Sequence, residues 1–197
     1  MKLSIITLLA GSAAAFAPVQ VGKTSTALKA FKNELGAQPP LGYFDPLGLL
    51  KNADQARFDR LRSVELKHGR IAMNAFLGQI VTRAGIHFDG NFGDVPIESI
   101  PPGWAAFSVL PTYGFWQIVI FIGFLELGVM KNVKGDAEFP GDFRNGFIDF
   151  GWDTFSEEQK LQKRAIELNN GRAAMMGILG LMMHEQIGGT FPIIGEM

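Results

Sequence analysis

With 197 residues, 47% of them hydrophobic and 19% charged, and with a net charge of −1, the chain is one domain at most, or a domain with a leader, and its charge gives no reason to expect nucleic acid. The charged share lies below the roughly 25% of ordinary soluble proteins, which points to a membrane protein or to a core filled by ligand. No cysteine is present, which excludes disulfides, thiolate zinc sites and thiol catalysis.

The first 30 residues read as a bipartite leader. Lys2, the apolar run Leu3 to Ala10 and the small residues Ala13-Ala14-Ala15 make a signal peptide over residues 1–15, too short to span a bilayer. Residues 16–30 carry Lys23, Thr24, Ser25, Thr26 and Lys29, and no acidic residue precedes Glu34, the composition of a plastid transit peptide. The junction Ser12-Ala13-Ala14-Ala15-Phe16-Ala17-Pro18 also resembles the ASAFAP-type motif, whose aromatic residue directs proteins into plastids surrounded by extra membranes.

Residues 31–197 form the remaining domain. Pro39-Pro40-Leu41-Gly42-Tyr43-Phe44-Asp45-Pro46-Leu47-Gly48 is dense in turn residues and predicts an ordered, non-helical arm. Asn52 with Gln55 forms a candidate capping box for a first helix over about 53–84. The Gly- and Pro-rich stretch Gly85 to Thr112 predicts a loop of about 28 residues, a length that is usually functional. Tyr113 to Met130 is apolar apart from Gln117 and Glu126 and alone meets the length rule for a spanning helix, predicted over about 113–131. After a second loop, Ser156 with Gln159 caps a third helix over about 157–187.

One stretch occurs twice. Glu65-Leu66-Lys67-His68-Gly69-Arg70-Ile71-Ala72-Met73 returns 102 residues later as Glu167-Leu168-Asn169-Asn170-Gly171-Arg172-Ala173-Ala174-Met175, and 9 of the 19 positions from Arg62/Arg164 to Ile80/Met182 are identical. The apolar runs behind the motif, Ile71 to Thr82 and Ala173 to Met183, are too short to span alone and by length favour buried core helices. Charge argues the other way. No Lys or Arg occurs from Ala84 to Met130 or after Ala173, whereas Phe31 to Arg62 and Lys131 to Arg164 carry five and six, the positive-inside pattern for three spans. If the motif enters the bilayer the runs reach about 18 and 17 residues, and its Glu and Arg then cost about 2.5–3.5 kcal/mol each at the helix centre unless paired.

Within one copy Glu and Arg lie five residues apart, roughly 140° around the helix, and do not face each other. Pairing between copies, Glu65 with Arg172 and Glu167 with Arg70, avoids this and implies first and third helices related by a pseudo-twofold axis. Small residues Ala72, Ala75 and Gly78 correspond to Ala174, Gly177 and Gly180, a spacing that lets backbones cross closely in lipid. The expected fold is therefore an all-α membrane protein of three transmembrane helices with the first and third crossed.

His68 and Asn170 follow the repeated Glu by three residues, within about 60° of its face, and each can donate a lone pair. A carboxylate beside a neutral N or O donor, twice over, suits a hard cation taking axial ligands. Only three His are present and none forms an H-x3-H pair, so the donors are dispersed. Dispersed single ligands suit a cofactor that brings its own coordination sphere, such as a magnesium tetrapyrrole; haem, which usually takes His or Met, fits less well.

The motifs E-L-K-H-G-R-I-A-M and E-L-N-N-G-R-A-A-M, with F-D-P-L-G upstream, resemble the chlorophyll a/b-binding antenna superfamily, in the form of the fucoxanthin chlorophyll a/c-binding proteins of diatoms. The resemblance implies that Glu65, His68, Glu167 and Asn170 are axial ligands of chlorophyll magnesium, the only metal, and that Arg70 and Arg172 close the interhelix bridges. It carries a ligand role onto His184 and onto Glu126 of the middle helix, and onto Gln117, although the family has an Arg three residues after that Glu and here Val129 stands there. The charge of Glu126 is then uncompensated locally.

The resemblance further implies chlorophyll a, chlorophyll c and fucoxanthin as pigments, with diadinoxanthin as a further candidate. Expected partners are thylakoid membrane lipids, other antenna subunits and a photosystem core. It implies a plastid thylakoid location with a stromal N-terminus and a light-harvesting role without any catalytic residue. Two rivals carry different tests: an energy-dissipating antenna sensing protons at Asp89, Asp94 and Glu98, and an ion or proton carrier relaying through Glu65, Glu126 and Glu167.

Overall fold

The computed structural model describes residues 31–132, 135, 137–145, 149, 151–188, 190–191 and 195–196, the last four by backbone alone. The expected leader, residues 1–30, lies outside the described residues. The chain is mostly helical, with three long helices in the described residues: α1 (Gln55–Arg83), α2 (Thr112–Phe124) continued by a π-turn at Leu125–Val129, and α3 (Glu157–Ile187).

The arm before α1 is held by a small aromatic cluster. Phe31 and Phe58 stack with ring centroids 4.4 Å apart, Ala53 is buried with them, and Tyr43 and Leu50 pack against the group. Both carboxylate oxygens of Asp45 accept backbone N–H groups, from Leu49 and Leu50, each at 2.9 Å, which fixes the turn after Tyr43-Phe44. The cap of α1 is Asp54, whose side chain accepts from Arg57 N–H at 2.9 Å, and not the expected Asn52. Burial of Ala53 in the aromatic cluster keeps residues 51–53 in a turn, and Asp caps as well as Asn does.

At α3 the Ser156 hydroxyl accepts from Gln159 N–H and the Gln159 side chain accepts from Ser156 N–H, a complete capping box. We expect Ser156→Ala to lower stability by about 1 kcal/mol, read as a shift in thermal unfolding. Gly188, at φ 76°, ends the helix in a conformation that L side chains rarely adopt.

The stretch from Gly85 to Thr112 is ordered in short pieces and is not the featureless loop that its glycines and prolines suggest. It contains a hairpin of β1 (Asn91–Phe92) and β2 (Val95–Pro96), two 3-10 turns and one helical turn at Ala106–Val109. The Phe92 ring covers Gly114 at the start of α2, and Tyr113 lies against the turn glycine Gly93. This segment also meets α3: Trp104 N–H donates to Glu185 Oε1 at 2.7 Å, and Arg83 at the end of α1 pairs with Glu185 at 3.5 Å. Arg83 is thus a basic residue at the end of α1 opposite the basic cluster, with its charge matched by a half-hidden carboxylate.

Between α2 and α3 the chain is tied by one arginine. Arg144 forks onto Asp142 with bonds of 2.8 and 2.7 Å and also reaches Glu138, Asp149 and Asp153, while Trp152 Nε1–H donates to Glu138 at 2.8 Å. The bidentate Arg144 and two backbone N–H groups hold the Asp142 carboxyl down at about 2, against an ordinary value of 3.8. A depressed carboxylate stabilises the fold above its unfolded value and stops doing so as it is protonated. The stability difference between wild type and Asp142→Asn should therefore be complete at neutral pH, shrink below 3.8 and vanish as pH falls through about 2 in melts followed by circular dichroism.

A conventional protein core is small. Among the described residues eight apolar side chains are buried, and no large one is completely so. In α2 the buried position is Gly114, while Ile120, Phe121 and Ile122 are 69%, 60% and 52% exposed. Three consecutive residues point about 100° apart, so the helix is apolar and open on all sides. Thr112–Val129 is the described helix long and apolar enough to cross a membrane by length and composition alone.

Candidate functional site

The site is built where α1 and α3 cross. Around the crossing the buried residues are Leu66, Gly69 and Ala72 on one helix and Leu168, Gly171 and Ala174 on the other, one stripe at a spacing of three on each, with Phe58 and Leu181 buried further out. At the crossing the backbones touch: a Cβ placed on Gly69 would lie 2.9 Å from Gly171 Cα, and one on Gly171 would lie 3.0 Å from Gly69 Cα. The expected small-residue stripe is met in part: Ala72 and Ala174 are buried, and a Cβ on Gly177 would lie 2.9 Å from the Phe76 ring of α1, whereas Gly78 and Gly180 would meet nothing within 4 Å and Ala75 is exposed.

Four charges flank this contact. Arg70 Nε donates to Glu167 Oε1 at 2.5 Å, and Arg172 Nε donates to Glu65 Oε1 at 2.7 Å. Each guanidinium uses a second nitrogen to hold the chain that leads into the opposite helix: Arg70 donates to the Gly141 carbonyl at 2.8 Å and Arg172 to the Gly36 carbonyl at 2.9 Å. The pairs lock the two helices and the two entering segments together. They are not equivalent, since Arg62 also donates to Glu65 Oε2 at 2.7 Å, whereas its repeat counterpart Arg164 lies over the Phe139 ring at 4.2 Å. Among the described residues Glu167 Oε2 takes no hydrogen bond.

Donor atoms lie on the outer flanks of the same turns. His68 is exposed, and its Nδ1 lies 2.8 Å from the Val64 carbonyl, which can only accept. Nδ1 therefore carries the proton in the neutral ring, and Nε2 is left with an outward lone pair. Asn170 is exposed at the matching place on α3, with no hydrogen bond among the described residues. The crossing does not gather the remaining candidates. Gln117 is exposed on α2, His184 is exposed in the last turn of α3, and Glu126 is half-buried in the π-turn, so the donors are spread along three helices. No group of three His, Asp or Glu among the described residues forms a metal cage.

The donor chemistry fits a macrocycle-bound magnesium. A charge-compensated carboxylate or a neutral imidazole or amide, one per position, would supply such an ion with one hard N or O donor. On the same helices Ile71, Leu77, Ile166 and Met176 are 53%, 60%, 50% and 72% exposed and offer apolar surface.

Comparison with known proteins shows the family. The family model described as chlorophyll A-B binding protein matches residues 31–186. The chain belongs to that family. Its relatives include a chloroplastic fucoxanthin-chlorophyll a-c binding protein of Trieres chinensis, 70% identical over 203 residues with both chains covered completely. The fucoxanthin-chlorophyll a-c binding protein F of Phaeodactylum tricornutum is 58% identical over 95% of this chain and 97% of its own, and protein B of Macrocystis pyrifera is 52% identical over 89% and 82%.

Three features of the site go beyond the expected residues. Gly69 and Gly171 are identical in the repeat and flanked by its Glu and Arg, which is signal enough to place the crossing there. Arg62 was also repeated, but nothing in the pattern distinguishes it from Arg164. Lys67, which pairs with Glu126 of α2, is the charged position of the motif that has no charged counterpart, Asn169 standing in its place. Glu126, which Val129 leaves without a local counter-charge, takes one from another helix instead.

Proposed function

We propose that this protein is a light-harvesting antenna that binds chlorophyll a, chlorophyll c and fucoxanthin and passes excitation energy to a photosystem. The observation that carries the reading is the crossed pair: two helices locked at backbone contact by Arg70–Glu167 and Arg172–Glu65, with N and O donors facing away from the contact onto apolar surface. Membership of the chlorophyll-binding family and the printed names of the fucoxanthin-chlorophyll a-c relatives support the pigment assignment.

In this reading Glu65, His68, Glu167, Asn170, His184, Glu126 and Gln117 are axial ligands, and Arg70 and Arg172 are structural. All three helices span the thylakoid membrane, α1 and α3 by taking their charged motif into the bilayer, and a pseudo-twofold axis relates them. The basic residues at and before the start of α1, and from Lys131 through the first turns of α3, support a stromal N-terminus. Residues 1–30 deliver the chain to the plastid. Thylakoid lipids, other antenna subunits and a photosystem core are its partners.

Bound pigments supply absorption and excitation transfer. The chain's own residues ligate them, separate them and fix their orientation, work done by rigid crossed helices without any reaction. A relay of protons or ions through the carboxylates is disfavoured by the same geometry, since Glu65, Glu126 and Glu167 are each engaged by a cation.

The test is spectroscopic. The full chain, purified from thylakoids or refolded with a pigment extract, should be brown, and the excitation spectrum of its chlorophyll a emission should contain the fucoxanthin band. Folded but colourless protein overturns the reading.

A further inference from the structure

Helix α2 has little side-chain packing to fix its place beside the crossed pair, yet it carries a candidate ligand. Its upper end is set by the Phe92 ring on Gly114. At its other end the Lys67 ammonium of α1 pairs with Glu126 Oε2, both side chains about one third exposed, while Glu126 Oε1 takes no hydrogen bond among the described residues. Glu126 also sits in a π-turn, closed by Met130 N–H donating to the Leu125 carbonyl at 2.7 Å. A single wide turn of this kind recurs where a helix adjusts its geometry around a functional side chain.

These observations bear on one another. The ion pair occupies one carboxylate oxygen and leaves the other open, the arrangement also found at Glu167 with Arg70. The cation at Glu126 is reached across 59 residues of sequence, not from the next turn of its own helix. It therefore joins two elements that have no other ion pair or side-chain hydrogen bond between them at that end among the described residues. Lysine suits the task because its long, flexible stem can cross apolar surface with the charge at the tip.

Building on the antenna reading, we propose that Lys67 is a positioning residue for Glu126. It seats the π-turn of α2 on α1 and turns the second carboxylate oxygen of Glu126 outward to ligate a chlorophyll magnesium. The competing account is an ordinary exposed ion pair, which contributes little and positions nothing.

Since the chain has no cysteine, spin labels can be attached at Ala56→Cys on α1 and Lys131→Cys beyond α2 without removing native thiols. Four forms of the full chain, refolded with pigment extract, are compared: wild type, Lys67→Met, Lys67→Arg and Glu126→Leu, with the double variant Lys67→Met/Glu126→Leu as a cycle. Chlorophyll per polypeptide is counted by chromatography, and the label distance distribution is measured by pulsed electron resonance.

Lys67→Met and Glu126→Leu should each lose the same single chlorophyll, and the double variant should lose no more. Lys67→Met should also broaden the label distance, and Lys67→Arg should restore both readouts. Full pigment stoichiometry or an unchanged distance in Lys67→Met overturns the proposal, as does additive loss in the double variant. If Lys67→Met does not fold, the charge-reversed pair Lys67→Glu/Glu126→Lys decides: a normal distance with one chlorophyll missing supports the proposal, and a disordered distance overturns it. Wild type that takes up no chlorophyll would instead sink the antenna reading itself, so the two failures are distinguishable.

Discussion

Glu167→Leu should lose one chlorophyll per polypeptide and destabilise the protein by about 1–3 kcal/mol, because removing one partner of a partly buried ion pair leaves the other charge uncompensated. Arg70 would keep only its bond to the Gly141 carbonyl at 2.8 Å. Glu167 is the sharper of the two repeat positions to test, since Glu65 has Arg62 as well as Arg172 on its oxygens. Arg70→Leu is the matched control: it breaks the same pair and should cost a similar amount in thermal unfolding while chlorophyll number stays that of wild type. Pigment extraction with chlorophyll quantitation, run beside melts, separates the two effects. Equal chlorophyll content in wild type and Glu167→Leu would refute the ligand role.

Gly171→Val should prevent a stable pigmented protein from forming. A Cβ at this position would already stand 3.0 Å from Gly69 Cα, and the obstacle is backbone, which no rotamer change can move aside. Gly171→Ala should cost about 1–3 kcal/mol, the range for forcing extra atoms into a packed contact, and Val more. Gly180→Ala, one apolar stripe further along and with nothing within 4 Å, is the internal control and should be neutral or slightly stabilising through helix propensity. The measurement is refolding yield with pigments together with the melting temperature. A Gly171→Val protein that refolds and melts like wild type would contradict the backbone contact.

Much of this arrangement is legible in the residues, for a physical reason. Charges inside an apolar run must be paired, and five-residue spacing excludes pairing within a helix, so the repeat dictates partners between α1 and α3. The same logic locates the crossing more closely than a stripe of small residues does. Gly69, Ala72, Ala75 and Gly78 all satisfy a spacing of three, and nothing in the spacing says where two rods are nearest. The reciprocal bridges say it, because their partners bracket Gly69 on one helix and Gly171 on the other.

What resists reading is short or comes from afar. Two-residue strands such as Asn91–Phe92 and Val95–Pro96 are too brief to show alternation, so only their turn residues register. The cap at Asp54 in place of Asn52 depends on where Ala53 is buried. The pairing of Lys67 with Glu126 depends on the placement of a helix that hardly touches its neighbours, and no local pattern encodes that. Donor orientation at His68, in contrast, follows from an i to i−4 carbonyl and could be anticipated for any exposed His on a helix once the helix is granted.

The Gly69–Gly171 contact has a consequence for colour and speed. Helices held apart by side chains inherit the rotamer noise and the substitutions of those side chains, whereas helices in backbone contact have a spacing set by peptide covalent geometry. Electronic coupling between chromophores falls steeply with their separation and depends on the angle between their transition dipoles. A junction without adjustable parts therefore works as a ruler: with ligands on its two arms, as proposed, their mutual distance is kept through thermal motion and through sequence drift elsewhere on the surface.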